Sequence, residues 1–280
     1  MFASDLLGFG NRELRNAGIK TANLDARVLL SEALELKEKY FFSDFKISKN
    51  KYNLYQNYIK QRLEGKPVSK IIYKRAFWKS DYFINENVLD PRPDSETIIE
   101  TAIKFSFKEK FENVLDLGTG SGCLITSIIA EFPLSFGVGV DISFNAIKVA
   151  SRNSKNLNLD NRIQFIVSDW FNSIKGKFDL IVCNPPYIES SKISLLPNEV
   201  KLYDPHGAID GGIDGLNSYR TIASEISQFI NPNGKIIFEI GFSQEHQVIN
   251  IMKQYGFINL LKVKDLSNIV RCLVFCLKNK

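Results

Sequence analysis

Asp116-Leu117-Gly118-Thr119-Gly120-Ser121-Gly122-Cys123 follows a short apolar run at 114–117 and leads into an apolar stretch at 124–131. Strand, glycine-rich turn and helix in that order open a βαβ unit. Glycine reaches backbone conformations closed to other residues and lets a ligand approach the main chain. A dinucleotide fingerprint, G-x-G-x-x-G, needs its third glycine at the position held here by Cys123. A phosphate loop needs Gly-Lys-Ser/Thr, which is absent. The spacing is G-x-G-x-G, with Asp116 two residues before the first glycine, so the loop is not built to cradle a pyrophosphate.

Outward from this loop the chain alternates. Strand candidates lie at 114–117, 137–140, 163–167, 178–182 and 235–240, with a late pair at 257–262 and 270–277. Helical stretches fall at 95–105, 124–131, 144–153, 216–230 and 244–255. This pattern predicts an α/β fold with a largely parallel sheet covered on both faces, and ligands then bind outside the carboxyl ends of the strands. Asp141 closes the second strand, where an acid accepts hydrogen bonds from ribose hydroxyls. Asp169-Trp170 follows the third and offers a carboxylate and an aromatic face suited to an adenine ring. Cys183-Asn184-Pro185-Pro186-Tyr187-Ile188-Glu189 follows the fourth. A stiff turn explains a proline there, but not an amide, two prolines and a tyrosine together.

A chain of 280 residues has room for one large α/β domain and a smaller one. No apolar run approaches the ~20 residues of a membrane span. Met1-Phe2-Ala3-Ser4-Asp5 lacks the basic start and apolar core of a signal peptide. Cys123, Cys183, Cys272 and Cys276 show neither a CxxC pair nor zinc spacing and read as reduced thiols of a cytoplasmic protein. His206 and His246 are the only histidines, so neither a metal site nor a multi-histidine mechanism is expected.

Residues 1–69 read as a helical bundle. Asn23 is placed to cap a helix whose Ala26, Leu29, Leu30, Ala33 and Leu34 share a face, and Tyr52, Tyr55, Ile59 and Leu63 mark a second face. Residues 70–90 read as a β-hairpin neck and 91–280 as the α/β domain. Residues 46–79 carry ten basic side chains against one acid, Glu64. Such a run is either a solvated face or a docking surface for an acidic partner or RNA.

The glycine loop, Asp141 and Asp169-Trp170 together resemble the class I methyltransferases that use S-adenosylmethionine. Asn184-Pro185-Pro186-Tyr187 looks like the motif of those that methylate planar nitrogens in adenine, cytosine or glutamine amides. Phe77-Trp78, Pro91-Arg92-Pro93-Asp94-Ser95-Glu96, Asp210-Gly211-Gly212-Ile213-Asp214-Gly215-Leu216 and Glu239-Ile240-Gly241 narrow the resemblance to the HemK/PrmC family, over nearly the whole chain. Asp204-Pro205 stands where the family has Glu-Pro, a conservative departure. The resemblance implies a Rossmann-like, mostly parallel sheet with an antiparallel last strand, joined by a β-hairpin neck to an N-terminal bundle that holds the protein substrate. It implies methylation of the glutamine amide in the Gly-Gly-Gln motif of class 1 peptide chain release factors, by a cytoplasmic monomer without membrane association. It places S-adenosylmethionine against Gly118, Thr119, Gly120, Ser121, Gly122, Asp141, Asp169, Trp170 and Asn184. Substrate falls at Asn184, Pro185, Pro186 and Tyr187, of which Asn184, Pro185 and Tyr187 are the catalytic residues.

The motif suits that chemistry. An amide nitrogen is a poor nucleophile because its lone pair is delocalised into the carbonyl. The Asn184 side-chain oxygen and the Pro185 carbonyl are each able to accept one N–H of the target, fixing the nitrogen in line and favouring the positive charge that develops on it. Proline brings no competing N–H, and Tyr187 is able to pack on the flat amide. The proton leaves after attack, so no histidine is needed. A glutamine methyltransferase of a ribosomal protein, or an adenine methyltransferase of nucleic acid, would use the same motif. The basic segment 46–79 suits ribosome or RNA proximity.

Overall fold

The computed structural model describes residues 2–36, 45–107 and 109–278. The chain divides into two compact units, 1–74 with 197–203, and 75–196 with 204–280.

The first unit packs α1 (Ala3–Asn16), α2 (Ala22–Leu34), α3 (Lys49–Leu63) and the one-turn α4 (Val68–Ile71) around Leu6, Leu14, Ala26, Leu29, Leu30, Ala33, Tyr55 and Ile59. Gly10 of α1 is required by this packing, because a Cβ there would lie 1.9 Å from the Tyr55 hydroxyl. Two local expectations shift, one by two residues and one by a single residue. Helix α2 begins at Ala22, so Thr21 and not Asn23 takes the cap position, its Oγ1 donating to Asp25 Oδ2 at 2.9 Å. Helix α3 buries Tyr55, Ile59 and Arg62, while Leu63 stays 41% exposed. Seven residues on, Arg62 returns to within ~20° of Tyr55, whereas Leu63 is ~80° away.

A buried guanidinium needs paired acceptors. Arg62 Nε donates to Asp25 Oδ2 at 2.7 Å, and Nη2 pairs with Glu199 Oε1 at 2.5 Å. Glu199 lies in α8 (Asn198–Lys201), part of the segment 197–203 that joins this unit. The Lys70 ammonium donates to the Tyr203 carbonyl, and the Tyr203 hydroxyl to the Glu64 carbonyl at 3.2 Å. A length of chain that follows Asn-Pro-Pro-Tyr is thereby fastened to the helical bundle.

The second unit opens with a hairpin, β1 (Lys74–Phe77) and β2 (Ser80–Phe83), then α5 (Glu96–Ser106), β3 (Asn113–Leu117), α6 (Cys123–Glu131), β4 (Phe136–Asp141), α7 (Phe144–Asn156), β5 (Ile163–Val167) and β6 (Phe178–Cys183). After α8 come α9 (Asn217–Glu225), β7 (Ile230–Glu239), α10 (Glu245–Gln254), β8 (Phe257–Lys264) and β9 (Val270–Leu277). The sheet order is β5-β4-β3-β6-β7-β9-β8. The pairs from β5 to β7 are parallel, and β9 runs antiparallel to both neighbours. Strand β7 starts at Ile230, five residues before the apolar run at 235, because its register with β6 shifts between Phe178 and Leu180.

Inner strands bury both faces, so successive residues enter opposite cores. Leu180 and Val182 join Ile98, Ile125 and Val149, whereas Ile181 and Cys183 join Tyr219, Phe238 and Met252. The hairpin lies against the first core: Tyr82 is buried with its hydroxyl 2.9 Å from Ser127 Oγ, and Asn153 exchanges two hydrogen bonds with the Phe83 backbone. Phe77 and Trp78 are absorbed in this packing. Phe77 meets the Tyr82 ring edge-on, and Trp78 Nε1 donates to Glu131 at 2.7 Å. Chain direction reverses at β3, which has β4 on one side and β6 on the other, and the carboxyl end of such a switch point is where open α/β sheets bind ligands.

Arg62→Ala would strand Asp25 as an uncompensated buried charge, a loss of about 3–5 kcal/mol. Urea unfolding followed by circular dichroism is expected to show that loss, and a smaller one when Asp25 is replaced by alanine as well. Wild-type stability in the single variant would contradict the buried pairing.

Candidate active site

Parallel register brings three strand ends level. Leu117 of β3 pairs with Val140 of β4 and with Cys183 of β6, so Gly118, Asp141 and Asn184 emerge side by side. Gly118, Gly120 and Gly122 all have positive φ, at 71°, 54° and 77°. The requirement differs along the loop. At Gly118 and Gly120 an added Cβ would make only ordinary van der Waals contact, 3.9 Å from the Trp170 ring and 4.0 Å from the Gly118 carbonyl oxygen, so it is the backbone conformation that demands glycine; at Gly122 it would also lie 3.0 Å from the Ala150 Cβ on α7.

The loop is tied to Asp141. Gly120 N–H donates to Asp141 Oδ2 at 2.9 Å and Ser143 N–H to Oδ1 at 2.8 Å. Burial raises the Asp141 pKa, and these two N–H donors pull it back toward the charged form. A cavity of about 540 Å³ opens here, lined by Gly118, Gly120, Asp141, Asp169, Trp170 and Asn184. That volume lies in the ~300–1,000 Å³ range of small-molecule sites. Pro186 also lines it, as do Asn87, Val88 and Leu89 and, from the connection 188–213, Pro205, Gly207 and Asp210, so part of that connection walls the site. Trp170 takes a left-handed conformation, φ 46°, that sets its ring near Gly118.

Thr119, Ser121 and Gly122 are not among the lining residues, and Thr119 and Ser121 bond instead to neighbouring side chains. Thr119 Oγ1 donates to Asp116 Oδ2 at 2.7 Å, and the Ser121 carbonyl accepts from Asn153 Nδ2 at 2.9 Å. Asp116 is wholly buried, and desolvation pushes its carboxyl up to about 7.

The Asn-Pro-Pro-Tyr turn sits on a polar bed. Asn184 Nδ2 donates to Ser95 Oγ at 3.1 Å, which leaves Oδ1 as its acceptor for a ligand. Pro185 is buried and Pro186 faces the cavity. The Tyr187 carbonyl accepts from Gln244 Nε2 at 3.0 Å, and its hydroxyl reaches Glu239 Oε1 at 3.4 Å. Burial raises the Tyr187 pKa and pushes the Glu239 carboxyl up to about 7, against stabilisation of the charged form by the Ser95 hydroxyl and by nearby Arg271. Next along, Ile188 N–H donates to the Ile209 carbonyl, and Gly211 N–H to the Ile188 carbonyl. Glycines at 211 and 215 are dictated by this contact: a Cβ would lie 2.8 Å from Tyr187 Cα and 2.4 Å from the Tyr187 carbonyl oxygen.

Cys123 and Cys183 are buried and burial raises both thiols, which suits core filler and not a nucleophile. His206 is exposed, 3.8 Å from Asp210. Sequence reasoning assigned no role to Ser95, Glu239, Gln244, Gly211 or Gly215, although it singled out stretches holding four of them. The signal available for Glu239 is an acid at the end of the apolar run Ile236-Ile237-Phe238.

Gly215→Ala combines a left-handed φ of 73° with a clash on the Tyr187 carbonyl. It is expected to lower the melting temperature by the equivalent of more than ~1 kcal/mol. A melting temperature equal to that of wild type would mean the turn is not seated on this glycine.

A family model described as "PrmC N-terminal domain" matches residues 5–72, and one described as "Methyltransferase small domain" matches residues 97–197. A protein of Rhodospirillum rubrum named release factor glutamine methyltransferase is 37% identical over 271 residues, covering 96% of this chain and 83% of its own. A protein of the same name from Caulobacter vibrioides is 37% identical over 257 residues, covering 91% and 89%. The crystal structure of a methyltransferase from Pyrococcus furiosus superposes with a TM-score of 0.53 at 16% identity, covering 79% of this chain and 98% of that one, and so shares the fold.

Proposed function

The chain belongs to the family of release factor glutamine methyltransferases, and on that premise we propose that it transfers a methyl group from S-adenosylmethionine to a glutamine side-chain amide nitrogen, in the Gly-Gly-Gln motif of class 1 peptide chain release factors. The observation that carries the reading is the placement of the Asn184 carboxamide on the wall of the cavity that the glycine loop and Asp141 also line.

The residues fit that donor. Gly118 and Gly120 leave room for a ligand against the main chain, Asp141 is a held carboxylate suited to a ribose diol, and Trp170 with Asp169 offers a ring face and an acceptor to adenine. When bound, S-adenosylmethionine supplies an electrophilic methyl group on a sulfonium. The protein's own work is to select and orient the nucleophile. Asn184 Oδ1 and the Pro185 carbonyl accept the two N–H groups of the glutamine amide, hold its nitrogen in line, and stabilise the charge it gains. Tyr187 packs on the amide. The proton is lost from a nitrogen that has already become cationic, so no group must act as a strong base beforehand.

The helical unit holds the protein substrate. Within the basic segment 46–79, Arg62 and Lys70 are buried, so Lys46, Lys49 and Lys60 are among the exposed charges that face an acidic partner, the ribosome or RNA. The proposed enzyme acts as a monomer, in the cytoplasm where translation termination takes place. Among the described residues no helix is long and apolar enough to cross a membrane.

Labelled methyl transfer tests the reading, with release factor, ribosomal protein and nucleic acid as separate acceptors. Label in the release factor glutamine is expected; label confined to either other acceptor would displace it. Asn184→Ala is expected to lose ~10²-fold or more in turnover while keeping cofactor affinity. Asp141→Ala should do the reverse, weakening cofactor binding by calorimetry by about 10- to 150-fold as charge-assisted bonds worth roughly 1.5–3 kcal/mol are lost. Equal turnover in Asn184→Ala, or an unchanged dissociation constant in Asp141→Ala, would remove that residue from its role.

A further inference from the structure

We propose that Ser95 and Glu239 are positioning residues for methyl transfer, together turning the Asn184 carboxamide so that its oxygen, and not its nitrogen, meets the target amide. This rests on the reading of Asn184 as the acceptor of a glutamine N–H. The two ends of a carboxamide have nearly the same shape and opposite polarity, so its surroundings must choose between them. Asn184 Nδ2 donates to Ser95 Oγ at 3.1 Å. A hydroxyl that accepts from Asn184 still has its own proton to place, and the Ser95 hydroxyl lies beside the Glu239 carboxylate. Glu239 Oε2 is buried and lacks a formed hydrogen bond among the described residues, so it is the acceptor left open to that proton once the Ser95 hydroxyl turns toward it. An ionised carboxylate only accepts. The chain therefore runs one way, from the Asn184 N–H to Ser95 and from the Ser95 O–H to Glu239, and Oδ1 is left for substrate.

The same carboxylate receives the Tyr187 hydroxyl at 3.4 Å. In the proposed chain both polar side chains of Asn-Pro-Pro-Tyr converge on Glu239, one directly and one through Ser95. Glu239 is 2% exposed. A charge in such a place is costly for packing alone, and a buried polar network is justified where it fixes one arrangement.

Protonation would reverse the chain. Protonated Glu239 is able to donate to Ser95, which then donates toward Asn184 and draws Oδ1 away from substrate. The groups that face Glu239 are Arg271 and Asp94, the Tyr187 hydroxyl, Tyr219 (whose hydroxyl donates to the Glu239 carbonyl at 2.8 Å), Cys183 and Cys272. Their combined effect with burial brings the Glu239 carboxyl to about 7. Turnover should therefore fall as pH drops through neutrality, the carboxylate being the competent form.

Methylation of an intact release factor by wild type, Ser95→Ala, Glu239→Gln and the double variant, across neutral pH, tests this. Each single variant is expected to lose kcat by ~10 to 10²-fold, the scale of a misplaced reacting group. KM for the release factor and the calorimetric affinity for S-adenosylmethionine should hold. The double variant should be no worse than the poorer single one, because both act through one chain. Wild-type kcat should rise with pH through neutrality and that of Glu239→Gln should be flat. If Ser95→Ala does not fold, the isosteric Glu239→Gln and the wild-type profile still decide. Full kcat in variants that fold and bind cofactor, multiplicative losses in the double variant, or a pH profile that survives Glu239→Gln would each overturn the positioning role alone. A wild type that leaves the release factor unmodified would overturn the functional reading and this role with it.

Discussion

The pairing of β3 with β6, Leu117 opposite Cys183, is the constraint on which the site depends. Because side chains alternate along a strand, a slip of one residue would exchange the two cores and carry Asn184 away from the glycine loop. The register is held by burial on both faces: Leu115, Leu117, Ile181 and Cys183 fill one core, Val114, Leu180 and Val182 the other. Strand β4 enters by the same logic, and Thr119 N–H donating to the Val140 carbonyl at 2.7 Å continues the ladder into the loop. This is a class I methyltransferase fold, with its antiparallel last strand and an N-terminal helical bundle.

On this frame two kinds of fixation divide the work. The glycine-loop side of the cavity is set by backbone conformation, with three left-handed glycines and a carboxylate fixed by two main-chain N–H groups. The Asn-Pro-Pro-Tyr side is set by side chains from distant segments: Ser95, Gly211, Gly215, Glu239 and Gln244 all meet it. Two prolines leave this turn few N–H groups with which to hold itself, so its neighbours must hold it.

The inner sheet was legible from sequence because a strand buried on both faces reads as a continuous apolar run. Residues 270–277 match β9 residue for residue, and 178–182 fall short of β6 by one. Glycine spacing and the acids and aromatics at strand ends were legible for a related reason: position after a strand fixes position at the sheet edge. What eluded sequence reasoning depends on partners far along the chain. Arg62 looks like one of ten surface cations until Asp25, 37 residues earlier, turns inward to meet it. Ser95 reads as a helix start, and only the fold brings it to Asn184, 89 residues on. Likewise nothing in the polar stretch 188–213 marks 197–203 as belonging with the helices, since its anchors are Arg62, Glu64 and Lys70.

A crystal structure with the demethylated cofactor and a glutamine peptide from a release factor would test the central claim most directly. The expected result is a glutamine nitrogen within about 2.7–3.2 Å of both Asn184 Oδ1 and the Pro185 carbonyl, with Asn184 Nδ2 still on Ser95. A glutamine nitrogen held by other groups, or one that faces the Asn184 nitrogen, would contradict it.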